Sequence, residues 1–177
     1  MPSLKLKSGW FLWLAAAGLA VLGGCAHYSL GSTGKLVFQS LYIAPVTSRG
    51  AIVPQAVEPL TNQLRETLLQ EGVRLAGGQA DADATLEVEI SNYQRGIAAT
   101  QQGNSLNAQS YSLTLTARCK LVDNRNGKVY FQDRQILVTQ EAFVQSGVSF
   151  NESEYQSVPK LARDLAVKIK DAVVTIW

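Results

Sequence analysis

Histidine is almost missing from this sequence: among 177 residues it occurs once, as His27, beside two cysteines and one methionine. A Ser-His-Asp triad, a histidine-based zinc site and a histidine general base in the body of the chain are thereby excluded. Two cysteines are too few for a disulfide framework. No apolar run reaches the length of about 20 residues that crosses a bilayer as a helix; the longest, Trp10–Leu22, falls short of it. There is no phosphate-cradling glycine loop either, because Gly77-Gly78 lacks the lysine and helix that must follow. Carboxylates occur in pairs, Asp81 with Asp83, Glu87 with Glu89 and Glu152 with Glu154. Their i, i+2 spacing reads as solvated faces, since calcium needs more oxygen ligands close by. The chain therefore reads as a non-enzyme with no metal and no diffusible cofactor. Its formal net charge of +2 is too small to argue for nucleic acid.

What is present begins with an address. Met1–Ser8 carries Lys5 and Lys7 and no acid, and the apolar run Trp10–Leu22 follows, which is the order of a secretory signal. The run ends in Leu22-Gly23-Gly24-Cys25, which resembles the bacterial lipobox. That resemblance implies diacylglyceryl transfer to the Cys25 thiol, cleavage between Gly24 and Cys25, and N-acylation of the new terminus. An ordinary signal peptide with an unrelated cysteine, or an uncleaved anchor, is the competing reading. Two or three acyl chains anchor stably where one binds only marginally. Ala26, rather than aspartate, follows Cys25, which by resemblance to the lipoprotein sorting rule favours the outer membrane, with the protein facing the periplasm. Cleavage would remove Lys5 and Lys7 and no acid, so the excess of 16 basic over 14 acidic residues vanishes.

The expected organisation is a signal peptide over residues 1–24, a lipidated terminus and linker over 25–34, and one α/β domain over 35–177. Leu36–Val46 is β-rich and closes with Pro45, so its end is no central strand. Val57, Leu60, Leu64 and Leu68 repeat at helical spacing, with Pro59 in the first turn and Gly72 as the stop. Ala84–Tyr93 alternates, with Ala84, Leu86, Val88 and Ile90 on one face and Thr85, Glu87 and Glu89 on the other. Tyr111–Val122 alternates likewise, placing Cys119 on the apolar side as a core thiol. Asp123–Gly127 is a hairpin turn in which Asn126-Gly127 supplies positive φ angles. The partner strand starts at Lys128, and its change of apolar parity predicts a bulge near Gln132–Gln135. A last helix spans Ser157–Val174, with Leu161, Leu165, Ile169 and Val173 as its stripe, Pro159 in its first turn, and Asn151, Ser153 or Ser157 as its cap. The order β-α-β-β-β-α packs most simply as a two-layer α+β sandwich, two helices on one face of a four-stranded mixed sheet.

Between Arg95 and Arg118 no side chain is charged at neutral pH, and residues 94–109 read as a long, neutral, amide-rich connection. A second neutral stretch, Ala142–Phe150, precedes the last helix. Two readings stand: a surface covered by a partner, or a flexible polar hairpin tip. His27 is a linker residue on this reading.

Several motifs, in order, then resemble one family. Cys25 with Tyr28-Ser-Leu30-Gly31 is similar to the opening of the lipopolysaccharide-assembly lipoproteins, the LptE family. Ile43-Ala-Pro45-Val46, Ala82-Asp83-Ala84-Thr-Leu86, Tyr111-x-Leu113 and Gly127-Lys128-Val129 resemble its successive strand ends and starts. The resemblance implies an outer-membrane transport component that plugs and helps assemble the large β-barrel LptD and binds lipopolysaccharide. The family's basic loop residues are not matched, for Gln101 and Gln102 stand in the first loop and no cation lies between Arg134 and Lys160. Arg95 and Arg49 are substitutes by position only, and a solvated surface role competes for each. An accessory lipoprotein of a peptidoglycan synthase or an ABC transporter is the alternative. The linker of about eight residues reaches at most roughly 28 Å, which favours a partner in the same membrane.

Overall fold

In the computed structural model, which describes residues 37–51, 53–101, 104–143 and 150–176, the first apolar run is divided by Pro45. Ser40–Ile43 forms β1, and after Pro45 the chain pairs again only at β2, Thr47–Ser48. Two short 3-10 turns lead into α1, Val57–Gln70. Leu60, Leu64 and Leu68 are fully buried, and Pro59 lies in the first turn, where its missing N–H costs nothing. The helix stops at Gly72 (φ 80), whose N–H donates to the Leu69 carbonyl at 3.0 Å while Val73 N–H donates to that of Leu68. This pair of bonds is the Schellman closure, with buried Val73 as its apolar contact.

The remaining strands are β3 (Arg74–Leu75), β4 (Ala84–Gln101), β5 (Asn104–Asp123) and β6 (Val129–Phe143), followed by α2, Phe150–Val174. The sheet runs β3-β1-β4-β5-β6, with β2 also beside β4. β1 is parallel to β3 and β4, while β4, β5 and β6 form an antiparallel meander. The sheet is thus mixed, and the two-layer α+β arrangement holds. It has six strands rather than four, because two-residue pairings at Thr47–Ser48 and Arg74–Leu75 extend it. Leu86, Ile90, Leu113, Leu115 and Leu121 from the sheet share one core with the α1 leucines and with Leu161, Leu165 and Ile169 of α2.

Several expectations need correction. Residues 94–109 are no loop: β4 continues to Gln101 and β5 begins at Asn104, because Tyr93↔Leu115 and Ile97↔Tyr111 extend the ladder. α2 starts at Phe150, so Pro159 lies inside the helix and Asn151, Ser153 and Ser157 are helical residues rather than caps. Pro159 leaves the Tyr155 carbonyl without its helical donor, and buried Val158, Leu161 and Ala162 hold the helix across that gap. Thr85 is buried rather than solvated, because its hydroxyl donates to the Asn124 side-chain oxygen at 2.9 Å. The bulge is where parity placed it: Cys119 pairs with Arg134 and Leu121 with Phe131, and Asp133 takes φ 54.

In the turn between β5 and β6 only Gly127 has positive φ (71), not Asn126 as well, and its N–H donates to the Asp123 carbonyl at 2.9 Å. A Cβ at Gly127 would touch nothing, so Gly127→Ala carries only the left-handed conformational cost, about 1 kcal/mol. A urea midpoint lowered accordingly at unchanged m-value is the expected result, with Gly77→Ala, at open space and without positive φ, nearly neutral. The lipobox with Gly24 and Cys25, the linker with His27, Gln102, and residues 144–149 of the second neutral stretch lie outside the described residues.

Candidate functional site

Among the described residues, the sheet has one face under the helices and one face open. On the open face the strand pairing sorts the side chains into rows. Near the β5–β6 turn the rows are charged and paired: Lys120 with Glu87 at 3.5 Å, Arg49 with Glu89 at 3.4 Å, and Arg118 with Asp133 at 3.6 Å. Farther out, Asn92–Thr116–Leu137 and Gln94–Thr114–Thr139 carry no charge. Thr114 and Thr139 hydroxyls join across the strands at 2.8 Å. In the next row, Gly96–Ser112–Glu141, the single carboxylate accepts from the Ser110 hydroxyl. Exposed Leu137 and Phe143 belong to this half of the open face, so it presents hydroxyls, amides and scattered apolar groups.

A register shift at Ser91 decides which side chains reach the helices. Ile90 pairs with Ala117 and Asn92 with Thr116, so one extra residue moves Tyr93 and Arg95 to the helix side. There Glu154 of α2 accepts from the Tyr93 hydroxyl at 2.6 Å and from Arg95 at 3.0 Å. Burial, and then the Glu154 carboxylate, push the Tyr93 phenol well above its usual range. Arg95 is therefore fastened to a helix, while Arg49 is paired with Glu89 on the opposite face. The two arginines singled out from sequence are not brought together. Glu154, which organises one of them, belongs to a carboxylate pair read as merely solvated. Its partners lie about sixty residues away, and no local pattern announces them.

The other carboxylate pairs also divide. Asp83 accepts the backbone N–H groups of Gln39 and Ser40 at 2.8 and 3.0 Å, which hold its carboxyl below the usual range. Glu87 pairs with Lys120 of β5, and Glu89 with Arg49 of the 3-10 turn that follows β2. Among the described residues no three His, Cys, Asp or Glu side chains gather as a metal site, and no helix is long and apolar enough to cross a membrane. Cys119 is buried, and desolvation pushes its thiol up to about 12. At pH 8 its alkylation by iodoacetamide should be on the order of a hundredfold slower, or more, in the folded chain than in urea. Equal rates would place the thiol at the surface.

This arrangement presents a mostly neutral β-surface beside a charge-balanced one. A family model described as LptE, Lipopolysaccharide-assembly, matches residues 38–173. The chain belongs to the LptE family. LptE membership gives it a role in lipopolysaccharide assembly, within a family of non-enzymatic lipoproteins of the bacterial envelope. No curated protein matches the chain closely. Solved structures share the LptE-family fold at low identity. A minor lipoprotein from Acinetobacter baumannii is 18% identical with a TM-score of 0.50, covering 78% of this chain and 94% of its own. Lipoprotein B from Nitrosomonas europaea is 11% identical with a TM-score of 0.54, over 83% and 91%. A Xanthomonas campestris protein is 12% identical with a TM-score of 0.56, over 81% and 88%.

Proposed function

We propose that this chain is an outer-membrane lipoprotein, acylated on Cys25, that plugs and helps assemble the lipopolysaccharide-export barrel LptD. The observation that carries the reading is the outer half of the β4–β5–β6 hairpin, whose open-face rows Asn92–Thr116–Leu137 and Gln94–Thr114–Thr139 are uncharged. Burying hydroxyls and amides against polar groups of a barrel wall costs far less than burying charges. The rows nearer the β5–β6 turn are ion-paired and suit exposure to water. The domain supplies shape and neutral contact, the acyl chains supply attachment, and no chemical step is required of it. Lipid A phosphates would have to displace Glu154 from Arg95, or Glu89 from Arg49, to bind at either arginine. The test is to extract the tagged full chain in mild detergent and identify what comes with it. Recovery of a large outer-membrane barrel, and loss of surface lipopolysaccharide on depletion, are expected. A peptidoglycan synthase recovered without any such barrel would overturn the reading.

A further inference from the structure

The outer edge of β6 ends the sheet on the side of α2. In an antiparallel ladder, paired residues alternate between exchanging backbone hydrogen bonds and turning both groups away. Lys168 Nζ donates to the Leu137 carbonyl at 3.0 Å, which marks Leu137 as a residue whose backbone turns away from β5. By the same alternation Thr139 and Glu141 direct their N–H and C=O groups to the free edge. Leu137 is 52% exposed. The bulge at Asp133 interrupts the ladder just before this stretch.

Between this edge and α2 lies a groove of about 380 Å³, lined by buried Ile136 and Ala172 and by exposed Arg134, Leu137, Lys168 and Thr175. Asp171 also borders it, but its carboxylate is held by Lys170 at 2.7 Å. Among the described residues neither Arg134 nor Lys168 forms an ion pair with a carboxylate. The Arg134 guanidinium lies over the Phe131 ring at 5.4 Å, and the Lys168 ammonium rests on a backbone carbonyl. The groove is therefore basic, apolar at its floor, and walled by a strand with free backbone groups.

We infer that this groove takes an extended acidic segment of a partner protein, which adds to β6 as a further strand. Main-chain bonds to Leu137 and Thr139 provide the attachment, and alternate side chains of the segment enter the groove beside α2. An acidic side chain of the segment draws Lys168 off the Leu137 carbonyl, which then accepts the incoming N–H. Arg134 provides the second cation. Strand addition uses a backbone edge that the neutral open face leaves free, so both surfaces can be occupied at once.

The test uses the full mature chain in detergent micelles and a labelled ten-residue peptide in which valine and threonine alternate with aspartate. A peptide with lysine in place of each aspartate is the control. Fluorescence polarisation reports binding, and amide hydrogen exchange reports its place. The acidic peptide is expected to bind and to slow exchange at Leu137 and Thr139 at least tenfold, while the lysine peptide does neither. Leu137→Pro removes an N–H that makes no bond within the sheet, a substitution that edge strands tolerate, and should abolish binding. Lys168→Glu should weaken the acidic peptide about tenfold and favour the lysine peptide, which keeps the test independent of how Leu137→Pro folds. No binding at millimolar peptide, equal binding of the two peptides, or binding without protection of these amides would overturn the inference. Protection that rises with chain concentration in the absence of peptide would also overturn it, in favour of a second copy as the occupant.

Discussion

Asp123→Ala is expected to lower the unfolding free energy by about 2 kcal/mol, a roughly thirtyfold loss in the folding equilibrium. Asp123 is 1% exposed, yet its carboxylate accepts from Arg125 Nη2 at 2.7 Å, Arg125 Nε at 3.1 Å, the Arg125 N–H at 2.9 Å and the Tyr130 hydroxyl at 2.8 Å. Alanine would leave these donors without their acceptor at the end of the sheet. Half-exposed Arg125 can turn to water, so the lost Tyr130 bond and the lost Arg125 backbone bond that shapes the turn account for most of the cost. Arg125 also donates to the Val37 carbonyl at 3.3 Å, so the loss reaches the segment that leads into β1. Asp123→Asn keeps the shape and one acceptor oxygen, and should cost about half as much. Arg125, against an opposing burial effect, holds the Asp123 carboxyl well below the usual carboxylate range. Its contribution is therefore complete above the unfolded-state value near about 4 and fades as pH falls toward the folded-state value. Urea midpoints of wild type and Asp123→Ala should converge below pH 4. A gap that widened there would refute the assignment.

Cys25→Ser is expected to remove all palmitate incorporation and to shift the protein from the membrane fraction to the soluble periplasm. The lipobox reading makes the Cys25 thiol the only attachment point for the diacylglyceryl group, and a serine hydroxyl does not replace it. Each buried methylene of an acyl chain contributes roughly 0.8 kcal/mol, so losing every chain leaves no comparable anchor. Labelling with radioactive palmitate followed by fractionation reads both effects. Persistent label in the serine variant would show acylation elsewhere. Persistent membrane association without label would show that protein contacts alone retain the chain.

How far the fold could be read from sequence depended on whether the deciding contacts were local. The alternation of Ala84–Ile90 and Tyr111–Leu121, the stripe of α1 and the parity change before Ile136 each depend on neighbouring residues, and each reappears in the structure. The outer half of β4 was not legible, because the shift at Ser91 breaks the alternation and Gly96, Ala98 and Ala99 have little strand preference. Pairing with β5 overrides that preference. Pro159 misplaced the start of α2 because tertiary burial tolerates a proline that local rules would put in the first turn. The partner of Arg95 was hidden for the same reason, since Glu154 reaches it through packing of α2 on the sheet. Two-residue strands such as β2 and β3 have no pattern to read.

The strand order also decides in what sequence the molecule can assemble. β4, β5 and β6 follow one another closely in sequence and pair in that order, whereas Leu41 of β1 must find Ala84 forty-three positions away. Closing a long loop costs more chain entropy than closing a hairpin, so the meander is expected to form before β1 docks on it. A ribosome delivers β1 first and β6 nearly last. The segment made earliest must therefore wait with both edges unpaired until the strands that receive it have appeared, and folding proceeds against the direction of synthesis.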